Sequence, residues 1–185
     1  MNLIFKNFTE LNYEEQIAIL DIRNSDHVRL NMKSSEIIGI EDHIQWIEKL
    51  RLDKHNIYYS VFYNEEIVGA IYITAINSEK KKSTWGLYFK EKTNPFISSI
   101  STYLLIDKVF NFYHLNILNL EVNKKNNAAY QFDLSFGFEV IDETKEDHEQ
   151  YYLMSISKEK WNKYSNTSMM KLLNNKIKKI NYKFI

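Results

Sequence analysis

The 185-residue sequence contains no cysteine, one proline and four glycines. Without cysteine there is no disulfide framework, no thiolate nucleophile and no cysteine-type metal site. So little proline and glycine leaves no flexible linker within the body, and no internal repeat divides it, so the length points to one main core. No apolar run approaches the ~18 residues of a membrane helix, which argues against an integral membrane protein. The opening MNLIFKNFTELN lacks a charged stretch followed by an apolar core and a small-residue cleavage site. The expectation is a cytoplasmic protein.

What is present is a core-forming composition, with 44% hydrophobic and 15% aromatic residues. The formal net charge of zero is unevenly spread: residues 160–185 carry seven lysines and no acid, so of 24 basic residues seventeen remain in the body against all 24 acidic ones. An acidic body argues against nucleic acid as a partner, since such proteins usually present a basic face.

Periodicity predicts the element order β-α-α-β-β-β-α-β-α-β-β. LIFKNFTEL reads as a strand; a helix follows, with Asn12 at its N-cap and Glu14 and Glu15 in its first turn. GIEDHIQWIEKLRL gives a second helix, with acids early and Lys49 and Arg51 late. IYYSVFY, EIVGAIYITAI and STWGLYF read as consecutive antiparallel strands. SISTYLLIDKVFNFYHL reads as a helix, ILNLEV as a buried strand, and NAAYQFDLSFG as a short helix closed by Gly137. FEVIDE and YYLMSI complete the body at about residue 157. Beyond it Met170, Leu173, Ile177 and Ile180 recur at helical spacing among lysines, giving a basic amphipathic tail over 158–185. A helix packed on its own domain or a frayed end is the expectation there, with membrane-surface or partner docking as the alternative.

This order, with WGLYF before one helix and LEVNKKNNAAYQFDLSFGF across the next, resembles the GNAT superfamily of acetyl-CoA-dependent N-acetyltransferases over about residues 1–157. The most specific features are the strand ending in Glu121-Val122, then Asn126, Ala129 and Gly137-Phe138. The resemblance implies a mixed α+β fold, a mostly antiparallel twisted sheet of about seven strands flanked by about four helices. In the first half, Arg23, Met32, Lys33, His43 and Trp46 resemble the branch that acetylates a UDP-linked 4-amino-4,6-dideoxy sugar in pseudaminic acid biosynthesis. Cationic donors for a pyrophosphate and a flat surface for uracil are residue types this set contains. Arg23 reads equally as a surface ion-pair residue, and His43 with Trp46 as a core-edge pair on one helix face.

The resemblance further implies that backbone around Leu87 and Tyr88 holds the pantetheine arm and that Asn126 contributes to the cofactor site. Glu121 is the candidate base for the acceptor amine, since a glutamate titrating near ~4.3 is ionised at neutral pH; an acid paired with a lysine at a strand end is the competing reading. Two departures stand out. The family's glycine-rich phosphate loop is replaced by NPFISSIS, where Ser98 and Ser99 offer hydroxyls but no glycine appears. Asp133 occupies the place of a tyrosine that would protonate the departing thiolate. An aspartate titrating near ~3.9 does this only if burial raises its pKa by several units, so Tyr130, one turn earlier, is the substitute candidate.

The function expected is transfer of acetyl from acetyl-CoA to the 4-amino group of the UDP-linked sugar, with no metal and with a homodimer on resemblance. The alternatives are a protein N-terminal or polyamine N-acetyltransferase, and a degenerate GNAT domain that binds without catalysis.

Overall fold

The computed structural model describes residues 2–146 and 148–185. In chain order these form β1 (Asn2–Asn7), a 3-10 turn (Phe8–Glu10), α1 (Tyr13–Asn24), α2 (Asp26–Arg29), α3 (Ile40–Leu50), β2 (Ile57–Tyr63), β3 (Glu66–Asn77) and β4 (Lys82–Phe89). They continue with α4 (Pro95–Asn111), β5 (Ile117–Asn123), α5 (Asn127–Ser135), β6 (Glu139–Glu146), β7 (Glu149–Ser157), α6 (Lys158–Tyr164), α7 (Ser168–Ile177) and β8 (Asn181–Phe184). The strands make a single sheet in the order β6-β7-β5-β4-β3-β2-β1-β8. Neighbours are antiparallel except β4 with β5 and β1 with β8.

Local chemistry sets the helix ends. Asn12 caps α1 in a reciprocal box, its side chain accepting from Glu15 N–H at 2.9 Å while Glu15 accepts from Asn12 N–H at 2.8 Å. Asn94 and then Pro95 open α4, the proline standing where a missing N–H costs nothing. Gly137 ends the α5 turn with φ +88°, and a Cβ there would lie 2.8 Å from the Tyr164 ring. Both backbone and space therefore demand glycine.

The sheet is covered on two faces. Ile19, Ile22, Val28, Ile47 and Leu50 from α1–α3 pack on Ala70 and Tyr88 on one side. On the other, Ile71, Ile73, Trp85, Leu118, Leu120 and Met154 meet α4, with Phe136 and Phe138 beside it. Coverage of both faces accounts for the almost unbroken apolar run of β3.

The feature that positions a site is a fork in the sheet. β4 and β5 pair only at Lys82 with Ile117, Ser83 with Leu118 and Thr84 with Asn119. Beyond that they part, while β3 continues to hold β4 as far as Phe89 and β7 holds β5 as far as Asn123. Each arm thus stays rigid on its outer side and leaves backbone polar groups facing the gap, where a ligand can pair with them. The gap opens at the carboxyl ends of two parallel strands, the usual position of a binding crevice, and α4 and α5 begin just beyond it.

The mixed α+β class and the strand order of the body match expectation, but the first expected helix is broken at Ser25 into α1 and α2. The tail brings a further difference: residues 158–185 form two helices and an eighth strand. Trp161, Met170 and Ile177 are buried in the main core, and Phe184 stacks on Phe5 with centroids 4.4 Å apart. This explains α4, whose residues are buried almost all round the helix; the tail covers the side that an ordinary surface helix would expose. Four residues of β8 hold too little pattern to be read as a strand, and their partner β1 lies at the other end of the chain.

Candidate active site

Glu121 stands on the β5 arm of the fork. Leu120 and Val122 point into the α4 core, so alternation turns Glu121 to the opposite face, beneath α1–α3. There its carboxylate forms an ion pair with Lys33, carried by the loop between α2 and α3. Lys33 also reaches Glu146 at 3.1 Å and lies 5.6 Å from the centre of the Tyr151 ring. The hydrogen bond to Glu121 raises the Lys33 pKa, with burial opposing it. The expected base and an expected substrate residue thus meet across the sheet, as do their two alternative readings, acid and lysine in a pair.

The other acceptor-side residues sit on the same face. Arg23 donates from one guanidinium nitrogen to Ser34 C=O at 3.1 Å, while its Nη1 is buried with no partner among the described residues. Met32 is half-buried against the α1–α3 cluster. His43 is only 4% exposed, and burial lowers its pKa, outweighing a hydrogen bond with the Gln16 backbone. Burial thus favours its neutral form. Trp46 is half-buried, its ring perpendicular to those of Tyr58 at 4.9 Å and Phe8 at 6.0 Å. The core-edge reading of this pair fits their surroundings.

The sequence did not single out Tyr58 and Tyr72, which stack at 4.8 Å beside Trp46. Their signal is register: Tyr58 lies opposite Tyr72, and Tyr72 opposite Gly86 of β4. A Cβ on Gly86 would come within 2.4 Å of the Tyr72 hydroxyl, so this glycine makes room for the ring. Burial pushes the Tyr58 pKa up to about 12 and raises those of Tyr72 and Tyr88, keeping all three neutral donors.

On the cofactor side, Leu87 and Tyr88 lie on the β4 arm past its last pair with β5, where the expected backbone contacts are geometrically open. Trp85, the first residue past that pair, is only 4% exposed, and its indole N–H has no partner among the described residues. Asn126 caps α5, its side chain accepting from Ala129 N–H at 3.1 Å. The Asn-x-x-Ala spacing is thus a capping pair as well as a family mark. Ser98 and Ser99 both donate their hydroxyls to Pro95 C=O, at 2.9 Å each. They are engaged within their own helix.

Asp133 lies on the inward side of α5, 7% exposed, and its carboxyl makes no hydrogen bond among the described residues. Loss of water around it, with no charge partner contributing, pushes its pKa up to about 8. Such a shift favours the protonated form of this acid. Tyr130, on the same helix, packs its ring on Tyr152 at 4.8 Å. Among the described residues no three acidic or histidine side chains gather to hold a metal ion, and no helix is long and apolar enough to cross a membrane.

The sheet forks between β4 and β5, with Glu121 on one arm and the starts of α4 and α5 beyond the open end, which is the arrangement the resemblance to acetyltransferases implies. Residues 11–152 match the family described as Acetyltransferase (GNAT) domain. The chain belongs to this GNAT acetyltransferase family. It is 32% identical over 141 residues to acetyltransferase PseH of Campylobacter jejuni strain 81-176, covering 76% of this chain and 87% of that protein. The crystal structure of C. jejuni N-acetyltransferase PseH in complex with acetyl coenzyme A is similar at TM-score 0.68 and 27% identity, over 84% of this chain and 99% of that one. Spermidine N-acetyltransferase from Vibrio cholerae, in complex with CoA and spermine, reaches TM-score 0.75 at 14% identity, over 82% of this chain and 95% of that one. That last likeness is one of fold alone.

Proposed function

We propose that the protein transfers the acetyl group of acetyl-CoA to the 4-amino group of UDP-4-amino-4,6-dideoxy-N-acetyl-β-L-altrosamine, in the cytoplasm, as a step of pseudaminic acid synthesis. The observation that carries the reading is the meeting of Lys33 and Glu121 beside the fork. Similarity to PseH over three quarters of the chain supports the sugar as acceptor.

In this reading Glu121 takes a proton from the sugar ammonium, through water, so that a neutral amine can attack. An N–H of the β4 arm near Leu87 and Tyr88 supports the oxyanion that develops on the acetyl carbonyl. Asp133 delivers the proton that the departing thiolate needs, which its burial keeps in place at neutral pH, and the proton that the nitrogen sheds as the amide forms passes through water to restore it. Tyr130 becomes the secondary candidate for that step. Lys33 and Arg23 serve the anionic nucleotide.

The test is release of free CoA thiol from acetyl-CoA by purified protein, with the UDP-4-amino sugar or with spermidine as acceptor, and with UDP as competitor. Turnover of the sugar, inhibited by UDP, is expected. Turnover of spermidine alone would replace the acceptor, and binding of both ligands without turnover would replace catalysis with a binding role.

A further inference from the structure

We propose that Lys176 and Lys179 of the C-terminal tail form the seat for the phosphate-bearing end of acetyl-CoA, replacing the glycine-rich loop that this chain lacks. The inference rests on acetyl-CoA being the acetyl donor, as read above.

The open end of the fork leads to the start of α4, where a nucleotide leaving the gap would have its phosphates. Two of the first-turn N–H groups are already satisfied from within. Asn94 accepts from Phe96 N–H with its side chain at 3.0 Å and from Ile97 N–H with its carbonyl at 2.8 Å, and both serine hydroxyls are turned to Pro95. No glycine lies between Gly86 and Gly137 to let a phosphate approach bare backbone. Charge for several phosphate groups must come from another segment.

The tail supplies it. The Lys176 ammonium stands 5.0 Å from the centre of the Phe96 ring, in the first turn of α4. Lys179 donates its N–H to Lys176 C=O at 3.0 Å, which keeps the two lysines on one turn. Among the described residues neither has a carboxylate within ion-pair distance, whereas Lys160 pairs with Glu139 and Lys163 with Glu159. An uncompensated cation beside the first turn of α4, with a second on the same turn of the tail, suits a phosphorylated ligand. A membrane is a poorer occupant, because Met170 and Ile177 of the apolar stripe are buried in the core. The family match ends at residue 152, so this seat belongs to a segment outside it.

Calorimetric titration with acetyl-CoA and with S-acetyl-pantetheine, which carries the same thioester without phosphates, tests the seat. Lys176→Gln should raise the Kd for acetyl-CoA about fivefold, and the double variant with Lys179→Gln about twentyfold. Affinity for S-acetyl-pantetheine should stay the same, and the salt dependence of acetyl-CoA binding should flatten. Lys163→Gln, removing a lysine that is paired, serves as control and should change nothing. Unaltered acetyl-CoA affinity in the double variant would overturn the inference, as would equal loss for both ligands. Absence of acetyl-CoA binding by the unaltered protein would instead strike the functional reading itself.

Discussion

Lys33, on the loop between α2 and α3, closes an ion pair with Glu121 on the β5 arm of the fork. The pair spans the gap between the helices that would hold an acceptor and the strand that would deprotonate it. Because the Lys33 side chain is 54% exposed, the pair adds little stability. Its significance is placement.

Glu121→Gln keeps size and polarity and removes the base. Steady-state kinetics should show kcat lowered by about 10²-fold or more, with KM for the UDP-sugar nearly unchanged. Unchanged kcat would remove Glu121 from the mechanism. Lys33→Met should instead raise that KM, and it should move the thermal midpoint by less than about 4 °C, as expected for an exposed pair.

Asp133→Asn keeps a hydrogen-bonding side chain that cannot release a proton. A fall in kcat of about 10-fold to 100-fold is expected, at the low end for general acid catalysis because a thiol near ~8.5 leaves readily. Tyr130→Phe should cost less than threefold. A larger effect at Tyr130 would transfer the acid role to it.

The same residue couples pH to stability. Between about pH 4 and its folded pKa of about 8, Asp133 is ionised in the unfolded chain and protonated in the fold. The fold therefore binds one more proton, and stability falls as pH rises, by up to about 1.4 kcal/mol per unit from this group. The contribution is complete below about pH 4 and lost above about pH 8. Urea denaturation from pH 4.5 to 7.5 should show this slope removed in Asp133→Asn, leaving that variant the more stable at pH 7.5. Parallel curves for both proteins would refute it.

Trp161 is 1% exposed and meets Tyr103 of α4 edge-on at 5.2 Å. Trp161→Ala should cost about 3–5 kcal/mol in urea denaturation. Removing residues 158–185 should leave a chain that does not fold cooperatively, since α4 would lose its outer cover and β1 its neighbour. A truncated chain melting as sharply as the whole protein would show the tail to be dispensable.

Much of this was legible in the sequence by itself. The Asn12 cap, the glycine after α5 and the period of each body element are written in residues close together along the chain, and caps and amphipathic faces need nothing distant to act. The resemblance to the acetyltransferase family, carried by strand order and the Asn126–Ala129 spacing, brought Glu121, Asn126 and Asp133 forward. Tertiary structure alone decided the burial that lowers the His43 pKa and raises that of Asp133, because burial depends on which other segments exclude water. It likewise decided that Lys33 meets Glu121, that β8 closes the sheet beside β1 and that Lys176 stands over Phe96. Each of these joins residues far apart in the chain, and no local pattern encodes the partner.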